Sequence, residues 1–188
     1  MSNAMPSWSW QGCEGKKAHV EVYARAAQVE LLLNGKSVGK QSMKNNCLFT
    51  FHVPYENGTL EAVAYDASGK EMGRYALKTA EVETVLQAVP EETQVKPGHL
   101  CFIRLQYADA QGIVKPAERG LLDVTVEGGK LVGLGSACPF YELDYRGSKA
   151  DTYYGEALAI VEAGSEGTVT LTATDGKLTA STSISIVN

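Results

Sequence analysis

At 188 residues the chain has room for one large or two small domains, and its 44% hydrophobic content supplies enough apolar material for a core. A net charge of −5, with 17 basic residues scattered apart from Lys16-Lys17, argues against nucleic acid as a partner, because phosphate contacts need clustered Lys and Arg. No apolar run approaches the roughly 18 residues that cross a bilayer, so no membrane-spanning helix is expected.

In chain order, Met1–Ala4 before a second Met reads as a cloning scar, and residues 1–7 are assigned to scar and linker. No basic region followed by an apolar core is visible there, so no secretory signal is expected and localisation stays open. Trp8 and Trp10 follow in an irregular entry, SWSWQG. His19–Tyr23 alternates, with Val20 and Val22 on one face and His19, Glu21 and Tyr23 on the other, the pattern of a half-buried strand. Val29–Gly39 is an apolar run broken by Asn34-Gly35, which supplies the two φ > 0 positions of a type I′ hairpin turn. Asn45-Asn46 turns the chain into a strand whose Cys47, Phe49, Phe51 and Val53 share a face. A turn cluster from Pro54 to Gly58, a strand from Thr59 to Tyr65, a turn from Asp66 to Lys70 and a strand from Glu71 to Thr79 complete this half.

The pattern resets around Ala80–Thr84, where a domain boundary is expected. Val85–Pro90 opens the second half, and a polar link runs to Lys96-Pro97-Gly98. Leu100–Tyr107 then sets Cys101, Ile103 and Leu105 against Arg104 and Gln106. Leu122, Val124 and Val126 share an inner face, and Gly128-Gly129 leads into Leu131–Leu134. From Gly135 to Tyr154 lies a long stretch without clear periodicity, carrying Tyr141, Tyr145, Tyr153 and Tyr154; loops of that length are functional or mobile. Leu158 and Ile160, then Val169, Leu171 and Ala173, then Ile184 and Ile186, mark the last strands. No stretch carries a helical apolar stripe. Strands of about seven residues with turn signals roughly every 8–12 describe an all-β fold of two consecutive β-sandwich domains, 8–80 and 81–188.

The four cysteines, Cys13, Cys47, Cys101 and Cys138, lack the paired short spacing of a zinc site. Structural thiols are expected, Cys101 a buried one, with a Cys13–Cys47 disulfide as the alternative.

Taken together, Trp8-Ser9-Trp10, HVEVYA (19–24), Val29–Gly39, Val53-Pro54-Tyr55, Gly58-Thr59-Leu60 and Ala62–Tyr65 resemble a known order of motifs. It is that of the immunoglobulin-like domain that follows the catalytic barrel in bacterial glycoside hydrolase family 2 enzymes of the β-galactosidase type. The second half, through Asp109–Gly112, Gly128–Gly135 and Tyr154–Val161, looks like the additional C-terminal sandwich of the same enzymes, related in fold to adhesin immunoglobulin-like domains. Where family members often carry N-G-D-P after the G-x-L-V-G strand, this chain has Ser136-Ala137-Cys138-Pro139. The resemblance implies two immunoglobulin-like sandwiches serving a carbohydrate-degrading enzyme. It implies that the catalytic glutamates sit on a barrel outside this sequence, and that this barrel is the partner.

Nothing in the residues themselves supplies the chemistry. Glycoside hydrolysis needs two carboxyl groups flanking the scissile bond, about 5–5.5 Å apart in retaining enzymes. Glu142, Asp144 and Asp151 share the long loop but read as ordinary loop acids. His19, His52 and His99 have no partner close in sequence, so no metal site and no cofactor is assigned. No Gly-rich phosphate loop and no G-x-S-x-G elbow is present. The candidates that remain are aromatic. Trp8, Trp10, Tyr141, Tyr153 and Tyr154 are candidate carbohydrate or interdomain contacts, with core packing the alternative for the two tryptophans. Three readings stand: accessory domains of a glycosidase, with oligomer contacts a further role; a pair of carbohydrate-binding modules; and a bacterial surface adhesion segment.

Overall fold

The computed structural model describes residues 4–44 and 46–187. Two compact units, Met1–Ala80 and Glu81–Asn188, divide it. All its regular elements are strands; among the described residues there is no helix. The expected turn at Asn45-Asn46 falls in part on Asn45, which lies outside the described residues, as do Met1–Asn3 of the N-terminal scar.

The first unit contains β1 (Lys17–Tyr23), β2 (Gln28–Leu33), β3 (Lys36–Ser42), β4 (Leu48–Pro54), β5 (Thr59–Tyr65) and β6 (Glu71–Lys78). β1 and β4 form one sheet and β3-β2-β5-β6 the other, antiparallel throughout. Strand alternation decides what lies between them. Val29, Leu31 and Leu33 from β2 meet Phe49, Phe51 and Val53 from β4 in one core with Trp8, Tyr55 and Leu60. Each such side chain contributes about 1.5–3 kcal/mol by leaving water. The β2–β3 turn has φ of 51° at Asn34 and 78° at Gly35, the two left-handed positions a type I′ turn requires. Cys47 is not in a strand: it sits at φ 56° just before β4, so the inward row begins at Phe49.

The second unit contains β7 (Val85–Pro90), β8 (Gln94–Val95), β9 (Leu100–Ala108), β10 (Leu121–Glu127), β11 (Gly129–Gly135), β12 (Lys149–Asp151), β13 (Glu156–Ala163), β14 (Thr168–Thr174) and β15 (Thr179–Ile186). Its sheets run β12-β10-β14-β15-β8 and β11-β13-β9-β7. Between them, Ile103, Leu105, Leu122, Leu134, Val161, Val169, Leu171 and Ile184 are buried in a single core.

The structure departs from the sequence reading at four places in this unit. The polar link after Pro90 includes β8, which pairs in parallel with β15. The long stretch after Gly135 is broken by β12, which adds an edge strand to β10. In β13 it is Ala157, Ala159, Val161 and Ala163 that fill the core, while Leu158 points outward. Alanines hold the inner positions because the opposite sheet already supplies Leu122, Val124, Val169, Leu171 and Ile184 to the same core, and a packed interior has little spare volume. Gln106, expected on the outer face, is buried instead, and donates to Gln87 Oε1 at 3.0 Å.

Candidate functional site

Four places deserve a chemical reading, two in each unit. In the first unit the W-x-W segment works as a clasp. Trp8 is only 3% exposed, meets Tyr55 edge-on at 5.0 Å between centroids, and its indole N–H donates to Glu56 O at 3.0 Å. The Tyr55 hydroxyl accepts the Trp10 backbone N–H at 3.0 Å and donates to Asn57 Oδ1 at 3.0 Å. Thr79 Oγ1 donates to Trp8 O, and the Ala80 N–H donates to Ser9 Oγ, so the entry of the unit is tied to its exit. A Trp8 ring held in this way has no face left for a sugar; Trp10 is half-buried and packs on the same core. Beside the clasp lies a trough of about 750 Å³, lined largely by Val20, Val22, Leu31, Leu60, Leu77 and Trp10.

The second place is the outward face of β1 and β4. Register places His19 directly opposite His52. His19 Nδ1 and His52 Nε2 are 3.2 Å apart, with the rings perpendicular and their centroids 4.8 Å apart. On its other side, His19 Nε2 lies 3.3 Å from Glu21 Oε1. The Tyr23 hydroxyl donates to Glu21 Oε2 at 2.7 Å. Sequence alternation puts all four residues on outer faces but cannot tell which residue of β4 meets which residue of β1. Only the register does that.

In the second unit the tyrosines gather where the segment after β11 crosses the side of the sandwich. The Leu134 N–H donates to Tyr145 O at 2.8 Å, and the Tyr145 ring covers Gly135, in the space a Cβ would need. Tyr141 stacks on Tyr145 with centroids 4.5 Å apart, and Tyr153 meets Tyr154 at 4.4 Å. Burial raises the Tyr141 phenol above its ordinary range. Tyr141 Oη and Ser136 Oγ are buried without a hydrogen-bond partner among the described residues, an uncommon state for buried polar atoms. Phe140 is 85% exposed, Tyr145 52% and Tyr154 39%. Two acids of this loop are engaged: Asp151 pairs with Arg119, and Asp144 accepts the Arg146 N–H at 2.9 Å in a turn.

The fourth place is a buried polar knot at the entry of the second unit, which sequence reasoning passed over. Lys115 is buried, and its Nζ donates to Val82 O, Glu83 O and Thr84 Oγ1 at 2.7–2.8 Å. Asp109, also buried, accepts the N–H groups of Glu81, Gln111 and Ile113. Burial works to raise the Asp109 carboxyl, but these three N–H donors and Lys115 outweigh it and hold the group below the usual carboxylate range. Such an arrangement orders the segment 81–84. Among the described residues, no group of three or more His, Cys, Asp or Glu is placed to hold a metal ion, and all four cysteines are free thiols.

Two all-β units, one closed by an aromatic clasp and one carrying a tyrosine-bearing segment, define a protein of two consecutive β-sandwich domains. The chain belongs to the family described as glycoside hydrolase family 2 C-terminal domain 5, whose pattern matches residues 85–184. Residues 15–73 match a domain of unknown function, DUF4982. The chain is 29% identical over 175 residues to the β-galactosidase BoGH2A of Bacteroides ovatus, an alignment that takes 90% of this chain and 20% of that protein. A glycosyl hydrolase family 2 member from Bacteroides cellulosilyticus superposes with a TM-score of 0.87 at 32% identity, over 96% of this chain and 26% of the other. A β-glycosidase from Bacteroides vulgatus superposes at 0.84 with 25% identity, over 97% of this chain and 24% of that one. The chain thus corresponds to a fifth to a quarter of its larger relatives.

Proposed function

We propose that this chain is the non-catalytic C-terminal part of a longer family 2 glycoside hydrolase of the β-galactosidase type, acting in carbohydrate degradation. One observation carries the reading: almost the whole chain aligns with the β-galactosidase of Bacteroides ovatus, yet it accounts for 20% of that protein. The partner is then the catalytic barrel of the longer chain, which the sandwiches support. Outward-facing Val89, Leu100, Phe102 and Leu158 on neighbouring strands of the β7–β9–β13 face, with Arg104 between Val89 and Leu158, favour this role, because exposed apolar side chains are stabilised by being covered. The test is kinetic. The chain alone shows no turnover of nitrophenyl β-galactosides, while the longer enzyme does and loses thermal stability when these domains are deleted. Turnover by the isolated chain that disappears on replacing Glu142 or Asp151 would overturn the proposal.

A second reading, glycan binding, is favoured by the exposed rings of Phe140, Tyr145 and Tyr154 and by the buried Tyr141 and Ser136 hydroxyls, which have no hydrogen-bond partner among the described residues. A calorimetric titration with a panel of β-linked galactosides and polysaccharides that gives no heat eliminates it.

A further inference from the structure

We propose that the cross-strand pair His19–His52 is a binding site for a divalent transition-metal ion of the zinc, nickel or copper class, with Glu21 orienting one of the ligands. Two imidazole nitrogens holding one metal at about 2.0–2.1 Å lie about 2.9 Å apart at a right-angled ligand geometry and about 3.4 Å apart at a tetrahedral one. His19 Nδ1 and His52 Nε2 are 3.2 Å apart, between those limits, without any movement of the strands. As a hydrogen bond the same separation sits at the long end of the ordinary range, about 2.7–3.2 Å for an N–H donor to oxygen. The perpendicular rings keep their carbons apart while the two nitrogens converge.

A second feature is the carboxylate. Glu21 Oε1, 3.3 Å from His19 Nε2, favours the tautomer with the proton on Nε2 and leaves the lone pair on Nδ1, the atom that faces His52. Carboxylates in this position hold metal-binding histidines in place and raise their basicity. Glu21 is itself fixed through its other oxygen by the Tyr23 hydroxyl at 2.7 Å. The row Tyr23–Glu21–His19 lies along the outer positions of one strand, and His52 is supplied by the strand opposite, so backbone pairing sets the bite of the ligands.

The binding step balances simply. His52 moves its ring proton from Nε2 to Nδ1, and the ion takes the Nε2 and His19 Nδ1 lone pairs in exchange for two of its waters. The remaining positions stay with water, and neither proton nor electron leaves the protein. Imidazole suits zinc, nickel and copper, and copper(II) binds most tightly of the three.

The test is a titration of the full chain, carrying no polyhistidine tag, with ZnCl2, NiCl2 and CuCl2 separately. Binding is read by calorimetry and by the ring nitrogens in histidine-detected NMR. One ion per chain is expected, with copper the tightest and with shifts at Nδ1 of His19 and Nε2 of His52. His19→Ala and His52→Ala each weaken binding at least about tenfold, Glu21→Gln weakens it about tenfold, and His99→Ala leaves it unchanged. All four sites are exposed or half-buried, so Trp8 and Trp10 fluorescence confirms that each variant is folded. Equal affinity in the wild type and the His19→Ala/His52→Ala double variant overturns the proposal, as does a signal that follows His99 or the cysteines.

Discussion

Asn34 carries more of the first unit than its place in a two-residue turn implies. Its backbone holds φ 51°, a left-handed conformation that costs an ordinary L-residue about 1–2 kcal/mol and Asn less. Its side chain also reaches the next turn: Oδ1 accepts the Thr59 N–H at 2.9 Å and Nδ2 donates to Asn57 O at 3.1 Å. Two exposed hydrogen bonds at about 0.5–1 kcal/mol each give roughly 1–2 kcal/mol for the tether. Asn34→Gly keeps the backbone conformation and loses the tether, so it should cost about 1–2 kcal/mol. Asn34→Ala loses both and should cost about 2–3 kcal/mol. Asn34→Pro is worse than either, because the ring cannot reach positive φ and the Asn34 N–H to Thr59 O bond at 2.9 Å disappears. The assay is urea unfolding followed by tryptophan fluorescence, which reports on the first unit alone because both tryptophans, Trp8 and Trp10, belong to it. Equal losses for the Gly and Ala variants would refute the backbone part of the reasoning, and an unchanged midpoint for Asn34→Gly would refute the tether. The Asn34 carboxamide also occupies the space a Cβ on Gly58 would need. Gly58→Ala should therefore be less damaging in the Asn34→Gly background than in the wild type.

Acid should unfold the second unit through the buried Asp109 and the half-buried Asp175. Burial opposes the charged forms of Asp109 and Asp175, but backbone N–H donors outweigh it and hold both below the ordinary range. Their contribution is then complete above about pH 4 and is lost as pH falls through the depressed folded-state values. Asp109→Asn should flatten the fall in melting temperature below that pH, and an unchanged slope would count against the carboxylate. Tyr107→Phe removes the 2.8 Å bond from its hydroxyl to Asp175 and should cost about 1–2 kcal/mol, measured by denaturation of the second unit. Among the thiols, Cys101 is buried and desolvation raises it, so it should react with Ellman's reagent only on unfolding, after the half-buried Cys13, Cys47 and Cys138.

Much of this molecule is legible in its sequence. Alternation alone grouped Phe49, Phe51 and Val53, and Leu122 and Val124, on shared faces, and all are buried, as are Val29, Leu31 and Leu33 of the apolar run before Asn34. Asn34-Gly35 announced its own turn, because few residue pairs tolerate two successive left-handed positions. These are local properties of the backbone and of side-chain parity, so sequence is sufficient for them. The all-β class follows from the same signals, and the family from the order of words such as Trp8-Ser9-Trp10 and Val29–Gly39. Other features depend on which distant segments meet. Parity could not show that alanines of β13 face the core while Leu158 faces out, since that depends on the volume left by the opposite sheet. β8 is two residues long and exists only because β15 runs beside it. Lys115 looked like any surface lysine until the fold brought three oxygens to its ammonium group. His19 and His52, 33 positions apart, were both outward-facing in the sequence; only the pairing of β1 with β4 made them neighbours. Local preference along a strand is written in neighbouring residues, whereas register and burial of polar groups are settled by the energy of the whole sandwich.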